Sequence, residues 1–179
     1  MNNRALLTDA KPRQRDSLPR SEVINTAATA GTAIEVLNQV LATTRVIASR
    51  CEREYYMALR FHSPPLAAAA LEHANDVCRH TQRVGERIRE LGGTIDSPAG
   101  VSLAAGSDKA QTDDLLIAVI ADDLAAVRAA LDSYRERASF FARFDAPTHR
   151  LLEDIISDEN ARAGDLSVLF GEIVARPAH

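Results

Sequence analysis

The stretch LEHANDVCRHTQRVGERIRELGG, Leu71 to Gly93, decides how this chain folds. Val77, Val84, Ile88 and Leu91 recur at three- and four-residue spacing, which puts them on one stripe of a single helix. Ala74 and Thr81 continue that stripe, and Gly92-Gly93 stops the helix. His80 stands three residues after Val77 and four before Val84, so it falls on the apolar face. A histidine in that place is either hydrogen-bonded core or what remains of a ligand set.

The segment before it, from about Thr32 to Phe61, reads as another long helix. Ile34, Leu37, Val40, Leu41, Thr44, Ile47, Ala48 and Cys51 trace one face, followed by Tyr55 and Leu59. His62-Ser63-Pro64-Pro65 ends it, because proline disfavours helix at the residue before it and has no N–H to donate. So short a break makes the next helix, Pro65 to Leu91, an antiparallel neighbour. The run after it, GGTIDSPAGVSLAAGSDKAQT from Gly92 to Thr112, has no sustained period. Such a run is unusual inside a compact domain, but a bundle with parallel second and third helices needs a long crossover.

A third helix opens at Thr112-Asp113-Asp114, a cap followed by acids suited to the positive end of the helix dipole. Its inner face is Leu116, Val119, Ile120, Asp123, Val127, Ala130, Leu131 and Tyr134, and it runs on to Phe141. Asp145-Ala146-Pro147 breaks it, and a fourth helix from Thr148 to about Val174 carries Leu152, Ile155, Glu159, Arg162, Leu166, Leu169 and Ile173 on one face. The expected architecture is all-α: an antiparallel four-helix bundle over residues 32–175, with a long crossover between the second and third helices. Residues 1–31 are expected to be a flexible, weakly basic segment and 176–179 a tail.

Composition agrees. A chain of 179 residues suits one domain with a real core, and abundant alanine with no tryptophan and little glycine favours packed helices. The net charge of −4 argues against a broad nucleic-acid-binding surface. No apolar run approaches the ~18 residues that span a bilayer, and the first residues lack the apolar core of a secretory signal. Cys51 and Cys78 show no CxxC spacing and no disulfide framework, so a reduced, cytoplasmic setting is expected. Arg4, Lys11, Arg13, Arg15 and Arg20 leave two readings for the first segment: a tail that orders on assembly, or a basic arm touching a phosphate backbone or a partner.

With the helices placed, the residues from Val36 to Ile173 resemble the ferritin-like superfamily, and within it the bacterioferritins. The strings that carry the resemblance are LNQVLAT (37–43), YYMA (55–58), the stretch quoted first, DDLAAVRAALDSYRE (122–136) and HRLLEDIISDENARAGDL (149–166). The resemblance implies a di-iron centre in mid-bundle, with one glutamate from each of two helices and a Glu-x-x-His pair from each of the other two. Glutamate at i and histidine at i+3 share a helix face, which is why the chemistry uses that spacing.

Carried over position by position, most of that set is replaced. The first-helix glutamate falls on Thr44, and the third-helix glutamate on Val127. The second-helix pair falls on Val77 and His80, and the fourth-helix pair on Glu159 and Arg162. His80 and Glu159 are the remnant ligands. The methionine that holds haem in bacterioferritins corresponds to Cys78, whose thiolate could ligate haem iron, beside the plainer reading of a buried structural thiol. Four carboxylates facing one another need cations to balance them. Here Arg162, three residues after Glu159 and within ion-pair reach on the same helix face, is expected to neutralise the layer without metal.

The functional expectation is a ferritin-like protein that has lost most ferroxidase ligands and serves as a non-catalytic structural or regulatory subunit, with no cofactor, or iron if one binds. It is expected to form a homodimer or larger homo-oligomer through its first two helices, or to partner an active ferritin-like paralogue, and not to meet a membrane. One alternative is iron binding or storage through a displaced site drawing on Asp76, Asp122, Asp123 or Asp158, with Glu52 and Glu54 as exposed additions. Asp123 could reach His80 or Glu159 in that reading only after a one-turn shift in register. Another is a helical module that binds protein or nucleic acid. His73, just off the core stripe, and His62, His149 and His179 are expected as surface or capping residues. Tyr55, Tyr56 and Phe61 are expected in core or subunit-interface packing.

Overall fold

The computed structural model describes residues 20–96 and 113–175. They form four helices: α1 (Arg20–Arg60), α2 (Pro64–Glu90), α3 (Asp113–Phe141) and α4 (Ala146–Val174). Helix α1 begins at Arg20 rather than near Thr32, so part of the segment expected to be flexible has helical backbone. Residues 1–19, most of the expected crossover with the Thr112 cap, and the tail at 176–179 lie outside the described residues.

The helix ends follow from local chemistry. At the end of α1, His62 N–H donates to Leu59 O and Ser63 N–H to Ala58 O, the paired bonds that close a helix around a residue in the left-handed region. His62 is that residue, with φ 49°. Pro64 and Pro65 then open α2, where their missing N–H groups leave no helical bond unmade. At its other end Gly92 takes φ 78°, and Gly92 and Gly93 donate to Arg89 O and Ile88 O. Gly93 is needed for a different reason: a Cβ there would lie 2.7 Å from the side chain of Ile34. Helix α4 starts at Ala146, two residues before the expected Thr148, capped by Asp145, which accepts from Thr148 N–H at 3.0 Å.

Helix directions are read from cross-helix bonds. Cys51 meets His73 and Thr44 meets Thr81, so α1 and α2 are antiparallel. Arg50 meets Asp122 and Asp123 while Gln39 meets Arg137, so α1 and α3 are antiparallel too. Helices α2 and α3 are therefore parallel, and only a connection running the length of the bundle can join them. The start of that connection lies along α1: Asn38 bonds to Thr94 O and Asp96 N, and Arg45 to Asp96 O. The core between the helices holds Leu37, Leu41, Leu66, Ile88, Ile120, Tyr134, Phe141, Leu152, Ile155 and Leu166, all essentially inaccessible. Each such aliphatic side chain stabilises the fold by about 1.5–3 kcal/mol through loss of apolar contact with water.

Candidate functional site

A polar layer crosses the middle of this apolar core. Thr44, Val77, His80, Val127, Glu159 and Arg162 all project into the interior, none more than 6% exposed. The periodicity therefore placed these positions on the inner faces correctly. Their pairings differ from expectation.

Arg162 does not neutralise Glu159. Its Nη2 donates to both oxygens of Glu54 on α1, each at 2.8 Å. Glu54, expected on the surface, is 2% exposed. It stands seven residues after Ile47, three after Cys51 and four before Ala58, which is the buried face of α1. That spacing was the signal in the sequence, obscured by the charge of the residue. Burial pushes the Glu54 carboxyl above its ordinary value, and Arg162 pulls the other way without cancelling it.

Glu159 turns instead to α2. Its Oε2 lies 3.2 Å from His73 Nε2, and its Oε1 3.8 Å from His80 Nδ1. His73, expected at the surface, is buried. It stands three residues after Ala70 and four before Val77, on the stripe itself. On its other side His73 Nδ1 lies 3.3 Å from the thiol of Cys51. Burial, and after it the Glu54 carboxylate, push that thiol up to about 12, so it is neutral at ordinary pH. A Glu159 carboxylate can only accept, so His73 presents Nε2–H to it and Nδ1 accepts from the thiol. His80 Nε2 lies 3.0 Å from the exposed carboxylate of Asp158. His80 Nδ1 and Glu159 Oε1 are buried and have no hydrogen-bond partner.

The remaining positions are closed. The Thr44 hydroxyl donates to Leu41 O at 2.9 Å and lies 3.3 Å from Thr81 Oγ1. Asp123 is buried, but its partners are Arg50 Nε at 3.0 Å and Arg53 Nη2 at 3.1 Å on α1. The register shift that would have carried it to His80 or Glu159 is absent. Burial raises the Asp123 carboxyl against the pull of Arg50 and Arg53. Hydrogen bonds from Arg53 and Arg50 hold exposed Asp122 below its ordinary value. Cys78, expected as a buried structural thiol, is exposed on α2; seven residues after exposed Leu71, it lies on the outward face.

These residues do not fit a di-iron pair. Thr44, Val77 and Val127 supply no carboxylate at their three positions, and Arg162 brings a fixed positive charge to the fourth helix. Among the described residues no group of three or more His, Cys, Asp or Glu side chains is placed to hold a metal ion.

No protein-family model and no curated protein sequence matches the chain. Among solved structures it is similar to the bacterioferritin of Desulfovibrio desulfuricans, whose crystal structure shows a diiron site in different catalytic states. The TM-score is 0.73 at 24% identity, over 83% of this chain and 84% of that one. The fold is ferritin-like. The ferritin-like bundle thus keeps the bacterioferritin arrangement of helices around an interior in which Arg162 pairs with Glu54 and Glu159 with His73. None of its described helices is long and apolar enough to cross a membrane.

Proposed function

We propose that this ferritin-like protein is a non-catalytic subunit, structural or regulatory, whose interior layer has exchanged a metal-balanced set of carboxylates for a self-paired one. The observation that carries the reading is the buried, two-oxygen contact of Arg162 with Glu54. A guanidinium keeps its charge at any accessible pH, and at this place it neutralises a core carboxylate and repels an incoming Fe(II). The purified protein is expected to oxidise Fe(II) no faster than buffer under aerobic stopped-flow conditions, with Glu159→Ala making no difference. Oxidation well above that background, lost in Glu159→Ala, would refute the proposal.

A second reading is favoured by one observation, the facing and unpartnered His80 Nδ1 and Glu159 Oε1. In it a single iron ion binds between these two remnant ligands without a ferroxidase pair. Elemental analysis after an Fe(II) soak separates the readings: iron retained by the wild type and lost in His80→Ala supports the second, and no retained iron removes it.

The subunit reading also entails partners. Tyr56, Leu59 and Leu71 are exposed on α1 and α2, an apolar surface suited to pairing with a second copy or a ferritin-like paralogue. We place the protein in the cytoplasm, where its two unbridged thiols persist in the reduced form.

A further inference from the structure

The outer face shared by α1 and α2 carries a ridge at one end and a recess at the other. The ridge is the start of the connection after α2. Asn38 holds Thr94 O and Asp96 N–H, and Arg45 holds Asp96 O. Ile95, 37% exposed, rests on Gly85, where a Cβ would lie 3.1 Å from its Cδ1. The recess, of about 370 Å³, opens where α1 turns into α2, with Tyr55, Leu59, Ala67 and Leu71 among its walls. Leu59 and Leu71 are about half exposed.

Between ridge and recess the face holds little charge. On α2, Leu71, Asn75, Cys78 and Gln82 follow at three- and four-residue spacing, all exposed and none charged. Arg79 and Arg83 line the opposite flank, facing α4. On α1, Arg50 and Arg53 turn to Asp122 and Asp123 of α3. That leaves Arg45 and Glu52, seven residues apart and so on one line along the helix. Depletion of charge from the middle of a face is what distinguishes a surface that meets protein.

We propose that two antiparallel copies of this chain pair through this face, about a two-fold axis that crosses α1 between Ala48 and Ser49. An isologous contact requires that residue i meet j and that j meet i. Turned end for end about that point, Arg45 of each copy comes opposite Glu52 of the other. Cys51 stands beside His73 and Thr44 beside Thr81, so the same axis crosses α2 near Asn75. It sets the Ile95 ridge of each copy over the Leu59–Leu71 recess of the other. The inference rests on the pairing part of the subunit reading and commits it to a second copy. Relief and charge order on this one face complement themselves, which a contact with a different chain does not require.

The test is crosslinking by a short bismaleimide of the full chain carrying Cys78→Ser, Leu59→Cys and Ile95→Cys. Within one chain the two positions lie about 30 Å apart, from the helical rise along α1, which is beyond the linker. A crosslinked dimer is expected on denaturing gels. Neither single variant should give one, because like positions stay well apart across the axis. In sedimentation, Glu52→Arg is expected to raise the dimer dissociation constant about tenfold, since like charges then face each other. A dimer that gives no crosslink, crosslinking by a single variant, or an unchanged constant in Glu52→Arg would overturn this interface and leave the subunit reading standing. A wild type that sediments as a monomer would overturn both the interface and the self-pairing on which it builds.

Discussion

At Glu54 and Arg162 two opposite charges leave water together, and the direction of the Glu54 shift shows that burial outweighs the pairing. Such a pair is costly to break yet contributes little net stability, because removing one partner strands the other in a medium that cannot solvate it. Arg162→Leu is therefore expected to lower the unfolding free energy by about 3–5 kcal/mol. Combining it with Glu54→Leu should restore stability to the wild-type value or beyond. Urea denaturation of the three proteins measures both: a double variant no more stable than Arg162→Leu alone would show that the pair stabilises the fold outright, and additive losses would show that the two residues are not coupled. The same residue scale explains what was hard to read. Glu54 and His73 obey the helical spacing of the core, but charge and polarity made them look like surface residues. Their burial depends on Arg162 and Glu159, which are distant in sequence.

The helix ends offer a cleaner electrostatic case. Asp145 caps α4 and accepts two bonds from Arg87 Nη2, at 2.9 and 3.1 Å. Burial pushes its carboxyl up, but the bonds from Thr148 and Arg87 prevail and hold it below its ordinary value. A carboxyl lowered in the folded state adds stability above the unfolded value, near pH ~3.9. That contribution disappears as pH falls through the folded value. Asp145→Asn keeps one cap oxygen, removes the charge and turns the other acceptor, which Arg87 and Thr148 both use, into a donor. It is expected to cost about 1 kcal/mol at pH 7, with the difference from wild type closing below about pH 4 in a series of thermal melts. Just past the same end of α2, Gly93→Ala puts a methyl group into the side chain of Ile34. Overpacking of this kind costs about 1–3 kcal/mol; an unchanged melting temperature would mean that Ile34 has a free rotamer to adopt. The double glycine was legible as a stop signal in the sequence, whereas the close approach of Ile34 was not, since it joins the connection after α2 to a distant residue of α1.

For the molecule as a whole, the exposed side chains of Leu59 and Leu71 make a prediction about assembly. Native mass spectrometry is expected to find a dimer or a higher multiple, and Leu59→Asp with Leu71→Asp should shift it to monomer while leaving helical content unchanged. A monomeric wild type would remove the pairing surface from the proposal. The bundle itself was readable in advance because four amphipathic stripes, two proline breaks and one aperiodic run admit few arrangements. The polar layer was readable only in part: each side chain's height in the bundle follows from periodicity, but its partner depends on how neighbouring helices rotate.

The sequence alone determined the helix count, the antiparallel hairpins, the need for a crossover and the inward facing of Thr44, Val77, His80, Val127, Glu159 and Arg162, because all of these follow from the 3.6-residue period and local backbone chemistry. Only the tertiary structure decided that Arg162 answers Glu54, that Glu159 lies between two histidines and that Cys51 touches His73. Those contacts join different helices, and which buried charge finds which partner is settled by packing geometry across the core rather than by spacing along any one strand of sequence.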